Sequence, residues 1–416
     1  MKKYKGAIWN TIGSSMYGIN SFIMLAMVSR FGTIEQTGSF GIAFTTAQIL
    51  YIIGLFGVSH YQMTDYQEKY SFKVYSEVRG ITIGIMAIGC IFAVTGMNFS
   101  GEKLIYTVSL TGLMVINVIG DLYQNLFFQK NRIDLSGASL FYRTFWSLIA
   151  FCVVLMFLES VFTAIIIQIA VNLLVTLYYI IKIAPKFIDS KFLARNHHAT
   201  KIKDLMIECF PLFISILLMN LYINASKYGI EFLMDDTTQG YYNMIFMPAQ
   251  VINLCSQFIF KPMLNRYAFL LSERKIKEFY RLLRRQIMLI LLFTLCCCVA
   301  AYWFGTPILE IIYRKDLSAF TISLVIVVLG GGFFAICQLC YYIFVILRKQ
   351  KTILEIYLIM IIFVIGITYI LIRNMQINGA AISFVLVHVG LLLCYILVMN
   401  RMMHEQQCLN SNDCKE

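Results

Sequence analysis

Two charged residues stand where charge is expensive. Arg143 and Asp121 each fall well inside an apolar run long enough to cross a bilayer, and a charge placed there costs at least a few kcal/mol unless it meets a partner or a polar cavity. The turn between their runs centres on Arg132, eleven residues from each. At about 1.5 Å per residue, both therefore sit roughly 16 Å up adjacent antiparallel helices. Two readings follow. Either the two form an ion pair that holds the hairpin together, or Arg143 faces a cavity as a phosphate site with Asp121 orienting it, because a guanidinium matches phosphate oxygens two at a time.

A second set of cations lies at the ends of apolar runs. Ser29-Arg30-Phe31-Gly32 closes the first run and Ser226-Lys227-Tyr228-Gly229 closes the seventh, so Arg30 and Lys227 occupy equivalent places in two similar segments. They read either as ordinary snorkelling cations or as a pair that attracts an anionic group, one from each half. Glu231, one turn beyond Lys227, is placed to pair with it. Arg314 and Lys315 read as outer-loop charges.

Other chemistries find no support. The five histidines, His60, His197, His198, His388 and His404, lack metal-ligand spacing. Ten of the twelve cysteines lie in apolar runs, where cysteine acts as a small hydrophobe; Cys337 and Cys340 form a lone C-x-x-C without a second pair, and Cys408 and Cys414 fall in a polar tail. There is no G-x-x-x-x-G-K-[ST] phosphate loop. Gly330-Gly331-Gly332 sits in an apolar run, where it reads as close helix packing or a hinge. Pro211 and Pro248 are candidates for helix kinks. No catalytic residue, metal or cofactor is expected.

These residues must be carried by membrane-spanning helices. Of 416 residues, 59% are hydrophobic and 13% charged, with mean hydropathy +0.75, against about 25% charged in soluble domains. Spans are expected near 7–29, 39–59, 80–97, 104–128, 135–158, 161–181, 205–226, 240–260, 287–304, 320–347, 353–372 and 379–400, twelve in all. Only helices satisfy their own backbone in segments of this kind. The basic residues before the first run, Lys2, Lys3 and Lys5, precede an apolar stretch too long for a signal-peptide core, so it reads as a retained span. With the N-terminus inside, the inner segments hold 27 of the 34 Lys and Arg residues, the outer loops six, and Arg143 stands alone within a span. That bias places both termini in the cytoplasm. It also accounts for the net charge of +12 without nucleic acid.

The chain divides into a six-helix lobe over 1–181, a basic cytoplasmic linker over 182–203, a second six-helix lobe over 204–400 and a cytoplasmic tail over 401–416. After the tetrapeptides above, Gly38, Phe40, Phe44, Ala47 and Gln48 match Gly240, Tyr242, Phe246, Ala249 and Gln250. Both halves begin inside, so the duplication is parallel, with lobes facing one another across a cavity. Residues 261–285 interleave Leu264, Tyr267, Leu270, Leu271, Phe279 and Leu283 with basic residues and read as a helix lying at the headgroups.

Asn10-Thr11-Ile12-Gly13, Ser29-Arg30-Phe31-Gly32 with Thr37-Gly38-Ser39-Phe40-Gly41-Ile42-Ala43, Phe127-Phe128-Gln129, and Ile245-Phe246-Met247-Pro248 with Lys261-Pro262 resemble the Wzx-like polysaccharide-biosynthesis flippases. These belong to the superfamily that also contains the multidrug and toxin extruders. Family members place glycine after Phe-Phe-Gln, where this chain has Lys130. The resemblance implies a MATE-like fold and alternating-access translocation of a polyprenyl-pyrophosphate-linked oligosaccharide across the cytoplasmic membrane of a bacterium, with the bilayer and polysaccharide-assembly enzymes as partners. Arg30, Arg143 and Lys227 would then be headgroup cations, supported by Asp121 and Glu231, and Tyr222 would stack on sugar rings. Alternatives are a cation-coupled multidrug extruder of the same fold, which wants cavity carboxylates, and a membrane polymerase, which wants a sizeable outer loop.

Overall fold

The computed structural model describes residues 2–65, 68–188, 198–273, 275–347 and 349–412, and every regular element among them is a helix. These are α1 (Lys2–Phe31), α2 (Ile34–Leu55), α3 (Val58–Thr64), α4 (Phe72–Gly96), α5 (Gly101–Gln129), α6 (Ile133–Leu158), α7 (Val161–Tyr178), α8 (His198–Ile223), α9 (Ala225–Leu233), α10 (Asp236–Phe260), α11 (Leu264–Ser272), α12 (Ile276–Ala300), α13 (Thr306–Tyr313), α14 (Thr321–Ile346) and α15 (Gln350–Asn412). Eleven of the described helical segments are long and apolar enough to cross a membrane. The last, Lys351–Arg401, spans 51 residues and is interrupted at Gln376 (φ 51°, ψ −127°), so that two helices run in series. Residues 189–197 of the expected linker and the end of the tail, with His197 and Cys414, lie outside the described residues.

The chain forms two compact units. The first comprises Met1–Asn220, Asp236–Tyr241 and Ile312–Arg314; the second comprises Leu221–Asp235, Tyr242–Ile311 and Lys315–Glu416.

In the first unit α1 lies along α6, and glycine explains how closely. A Cβ at Gly13 would collide with the Gly137 carbonyl, and one at Gly137 with the backbone of Trp9 and Asn10, so the two helices meet backbone to backbone as small residues allow in a bilayer. Trp9 then packs against Phe141 and Tyr142 at ring separations of 5.8 and 5.6 Å. α5 packs against α2, α4, α6 and α7. A capping box of Thr33 and Gln36 starts α2. The first turn of α10 also belongs to this unit: Asp236 accepts Ser39 Oγ at 3.0 Å and Lys103 Nζ at 2.6 Å, and Gly38 and Gly240 leave no room for a Cβ between them. On α8, Leu205, Cys209 and Phe213 join a buried cluster with Phe56, Val58, Tyr75 and Val78. Lys69 fastens it with a 2.7 Å bond to Glu208, which holds the Lys69 ammonium above its ordinary pKa.

Two expected boundaries are corrected. The third long helix starts at Phe72, where Ser71 caps it by accepting Val74 N–H, eight residues ahead of the predicted span. Arg79 is therefore a helix residue, not an inner-loop cation. Residues 261–285 do not form one headgroup helix: α11 folds back on the start of α12, with Tyr267 and Phe279 rings 5.7 Å apart and Leu270 and Leu283 buried. The apolar faces cover each other.

In the second unit α14 packs on α12 and α15. A Cβ at Gly330 would strike Phe384, at Gly331 Ala249, and at Gly332 Thr294. The glycine triplet is thus a packing node. Cys337 Sγ donates to the His388 carbonyl at 3.2 Å, and the ten cysteines of the apolar runs are free.

Candidate functional site: a buried arginine and an amide-lined cleft

Asp121 does not meet Arg143. Its Oδ2 accepts Arg79 Nη2 at 2.6 Å, Ser59 Oγ at 2.6 Å and Asn125 Nδ2 at 2.8 Å. Arg79 is 2% exposed and its Nη1 donates to the Gly54 and Leu55 carbonyls, at 3.0 and 2.7 Å, while its Nε has no partner. Those carbonyls end α2, whose chain turns out through Phe56 at φ 48°, and a cation at a helix C-terminus satisfies both the orphan carbonyls and the dipole. The cluster thus ties α2, α4 and α5 together. The sequence-based Asp121–Arg143 pair is corrected accordingly: with α4 beginning at Phe72, Arg79 reaches Asp121 first.

Arg143 is left as a buried cation without a carboxylate. It is 5% exposed, its Nε has no hydrogen-bond partner, and among the described residues it forms no ion pair. The guanidinium lies over Gly120, where any Cβ would overlap it; glycine here is what lets α6 deliver an arginine onto the face of α5. Around it is a small pocket lined by Tyr123, Gln124, Ser139, Thr176 and Tyr179 among others. An unpaired charge held this way is costly. What the arrangement can do chemically is bind an oxyanion, since no carboxylate among the described residues pairs with the guanidinium and its Nε donor is unspent.

Beside this pocket is a second cleft, lined by Tyr17, Asn20, Gln48, Asn117, Ser147, Gln168 and Asn172 with a few apolar neighbours. Its amides are linked in a chain: Thr176 Oγ to Asn172 Oδ1 at 3.4 Å, and Asn172 Nδ2 to Asn117 Oδ1 at 3.2 Å. Thr176 lines the arginine pocket, and Thr144, next to Arg143, lines the cleft. The two spaces adjoin. Sequence reading overlooked both the cleft and Arg79. The cleft left a trace, because Asn20, Asn117, Gln168 and Asn172 are polar residues in otherwise apolar runs.

The other expected site residues are placed differently. Arg30 is half-buried in the last turn of α1. Lys227 is on α9, because the helix before it stops at Ile223 and a new one starts after Asn224. It is 4% exposed and stands 4.5 Å from the Phe246 ring centre, a cation–π seat, and it forms no ion pair with Glu231. Tyr222 is committed to the core of the second unit: its hydroxyl donates to the Tyr357 carbonyl and its ring meets Tyr357 edge-on at 5.4 Å.

The whole architecture has counterparts among solved structures. A multidrug-resistance MATE-family transporter of the MOP superfamily, solved facing inward, superposes with TM-score 0.71 at 12% identity over 92% of this chain and 93% of its own. The lipid II flippase MurJ, in an inward closed conformation, gives TM-score 0.70 at 15% identity over 94% and 87%. A Vibrio cholerae MATE transporter in the bent form gives 0.59 at 15% identity over 96% and 97%. At such identities the likeness shows the fold. No curated protein matches the sequence. The profile of the polysaccharide biosynthesis protein family matches residues 4–267, more than half the chain. This protein therefore belongs to the polysaccharide biosynthesis protein family, and its many apolar helices take the fold seen in the MATE transporters and the lipid II flippase MurJ.

Proposed function

We propose that this transporter moves a polyprenyl-pyrophosphate-linked oligosaccharide repeat unit from the inner to the outer leaflet of a bacterial cytoplasmic membrane, for surface polysaccharide assembly, by alternating access. The observation that carries the reading is Arg143: a buried guanidinium with no carboxylate, an unpartnered Nε and empty space before it. A pyrophosphate supplies the missing charge, and its lipid tail stays in hydrocarbon throughout. Family membership supports the same substrate class.

In this reading the chain crosses twelve times, the segment broken at Gln376 counting as two, with both termini in the cytoplasm and six-helix lobes over 1–181 and 204–400. Arg30 and Lys227 serve as accessory cations for the headgroup. Asp121 supports the site through the framework, by holding Arg79 and so leaving Arg143 free. A cation-coupled extruder would want a carboxylate open to cations, and Asp121 is committed to Arg79.

The test is a lipid extract from cells lacking the protein. A completed, unpolymerised lipid-linked unit should accumulate, inaccessible to an impermeant sugar-modifying reagent applied outside. An unchanged pool, or an accumulated unit already exposed outside, would refute the reading.

A further inference from the structure

We propose that the amide-lined cleft beside Arg143 is a subsite for a neutral, hydroxyl-bearing sugar, the one linked directly to the pyrophosphate. The proposal rests on the reading of Arg143 as the headgroup site and adds to it what the transporter recognises beyond charge.

Three observations carry it. The first is unmet hydrogen-bonding capacity. Gln168 is 1% exposed, yet its Oε1 has no partner, and neither has Asn20 Oδ1. The amide nitrogens of both donate to one thioether, Met24 Sδ, at 3.4 Å, a weak acceptor for two good donors. Buried amides are normally satisfied by protein or water; here, on α1 and α7, both amide oxygens are left without a protein partner beside the cleft. A sugar hydroxyl donates to such an oxygen and accepts from the neighbouring amide N–H, so one ligand group answers both ends of the side chain.

The second observation is charge. No Lys, Arg, Asp, Glu or His lines the cleft, so a uronic acid or a free amino sugar would enter without a counter-charge, at the cost that excludes unpaired ions from such places. The aromatic faces of Tyr17 and Phe44 suit the C–H side of a pyranose ring.

The third is position. Thr144 follows Arg143 in α6, and Thr176, in the arginine's pocket, donates to Asn172 in the cleft. Anion site and neutral site therefore adjoin, in the order in which a lipid-linked sugar presents phosphate and ring.

The experiment measures binding of two short-chain polyprenyl pyrophosphates, one bearing a single N-acetylhexosamine and one bearing no sugar, to the full-length protein in nanodiscs by calorimetry. The sugar should tighten binding at least tenfold. Gln168→Leu should cut that advantage below threefold while leaving the sugar-free lipid within twofold of wild type, and Asn20→Leu, on a half-buried side chain, should do the same if the first variant fails to fold. Arg143→Gln should weaken both lipids. A sugar advantage that survives both leucine variants, or variants that weaken both lipids alike, would overturn the subsite. Binding that needs Na⁺ and ignores the sugar would assign the amide oxygens to a cation and overturn it too. Wild-type protein that binds both lipids equally leaves the headgroup reading standing and removes only the subsite; binding of neither removes both.

Discussion

Asp121 Oδ2 accepts Arg79 Nη2 at 2.6 Å, and this pairing decides the chemistry of Arg143 on the adjacent α6. Had the carboxylate turned to Arg143, the helix pair would hold a neutral ion pair and nothing more. Turned to Arg79, it closes the C-terminus of α2 and leaves a guanidinium in the first unit with its charge unanswered. Structural and functional roles that two residues were expected to share are thus divided among three.

A thermodynamic cycle follows. Asp121→Asn or Arg79→Gln alone should destabilise the protein by about 3 to 5 kcal/mol, the cost of leaving one buried partner uncompensated. The double variant should recover part of that loss. Asp121→Asn combined with Arg143→Gln should show little coupling. Thermal unfolding in a fixed detergent reads both cycles, and equal coupling in the two would contradict the pairing.

Arg143→Ala should abolish transport, measured as the fraction of lipid-linked unit reached by an external reagent. Arg143→Lys should recover less than half, because an ammonium keeps the charge and loses the two-pronged geometry. Full activity of the alanine variant would remove Arg143 from the transport path.

Gly120→Ala tests the same site without touching a charge. Its methyl group would occupy the place of the guanidinium, so transport should fall while Asp121 and Arg79 stay paired. Wild-type transport by this variant would mean that Arg143 works from some other position.

Gly332→Ala should cost about 1 to 3 kcal/mol, as overpacking does, since its methyl would meet the Thr294 side chain. Adding Thr294→Ala removes the hydroxyl and methyl that it strikes and should return part of the loss. An unfolding temperature unchanged by Gly332→Ala would show that the node has slack.

Lys227→Met should leave the unfolding temperature unchanged or raised, because it replaces a buried cation lacking a carboxylate with an apolar chain of similar length. Transport should nevertheless drop severalfold if Lys227 assists the headgroup. Unchanged transport would confine Lys227 to its contact with Phe246.

What was legible in the sequence was whatever the bilayer itself enforces: long apolar helices, and Arg143 as a charge needing explanation. What was not was a partner 42 residues away. Residues 72–79 carry Lys73, Glu77 and Arg79 and so read as loop by charge, although Ser71 is a cap and Phe72, Val74, Tyr75 and Val78 are all buried. In 261–285 charge again outweighed pattern: the apolar residues found each other rather than lipid. The break at Gln376 has neither glycine nor proline at the position itself. The amide cleft needs five helices in place before its residues share a surface.

Gly330, Gly331 and Gly332 are consecutive, so on a helix they point in three directions about 100° apart, and each is filled by a different neighbour: Phe384 of α15, Ala249 of α10 and Thr294 of α12. Neighbours at one height on three sides block movement of the helix toward any of them. Displacing α14 toward one of them means displacing that neighbour with it. Mechanically, the four helices of this node are keyed together at one height, so a rearrangement of the second unit that keeps the node packed would bend elsewhere.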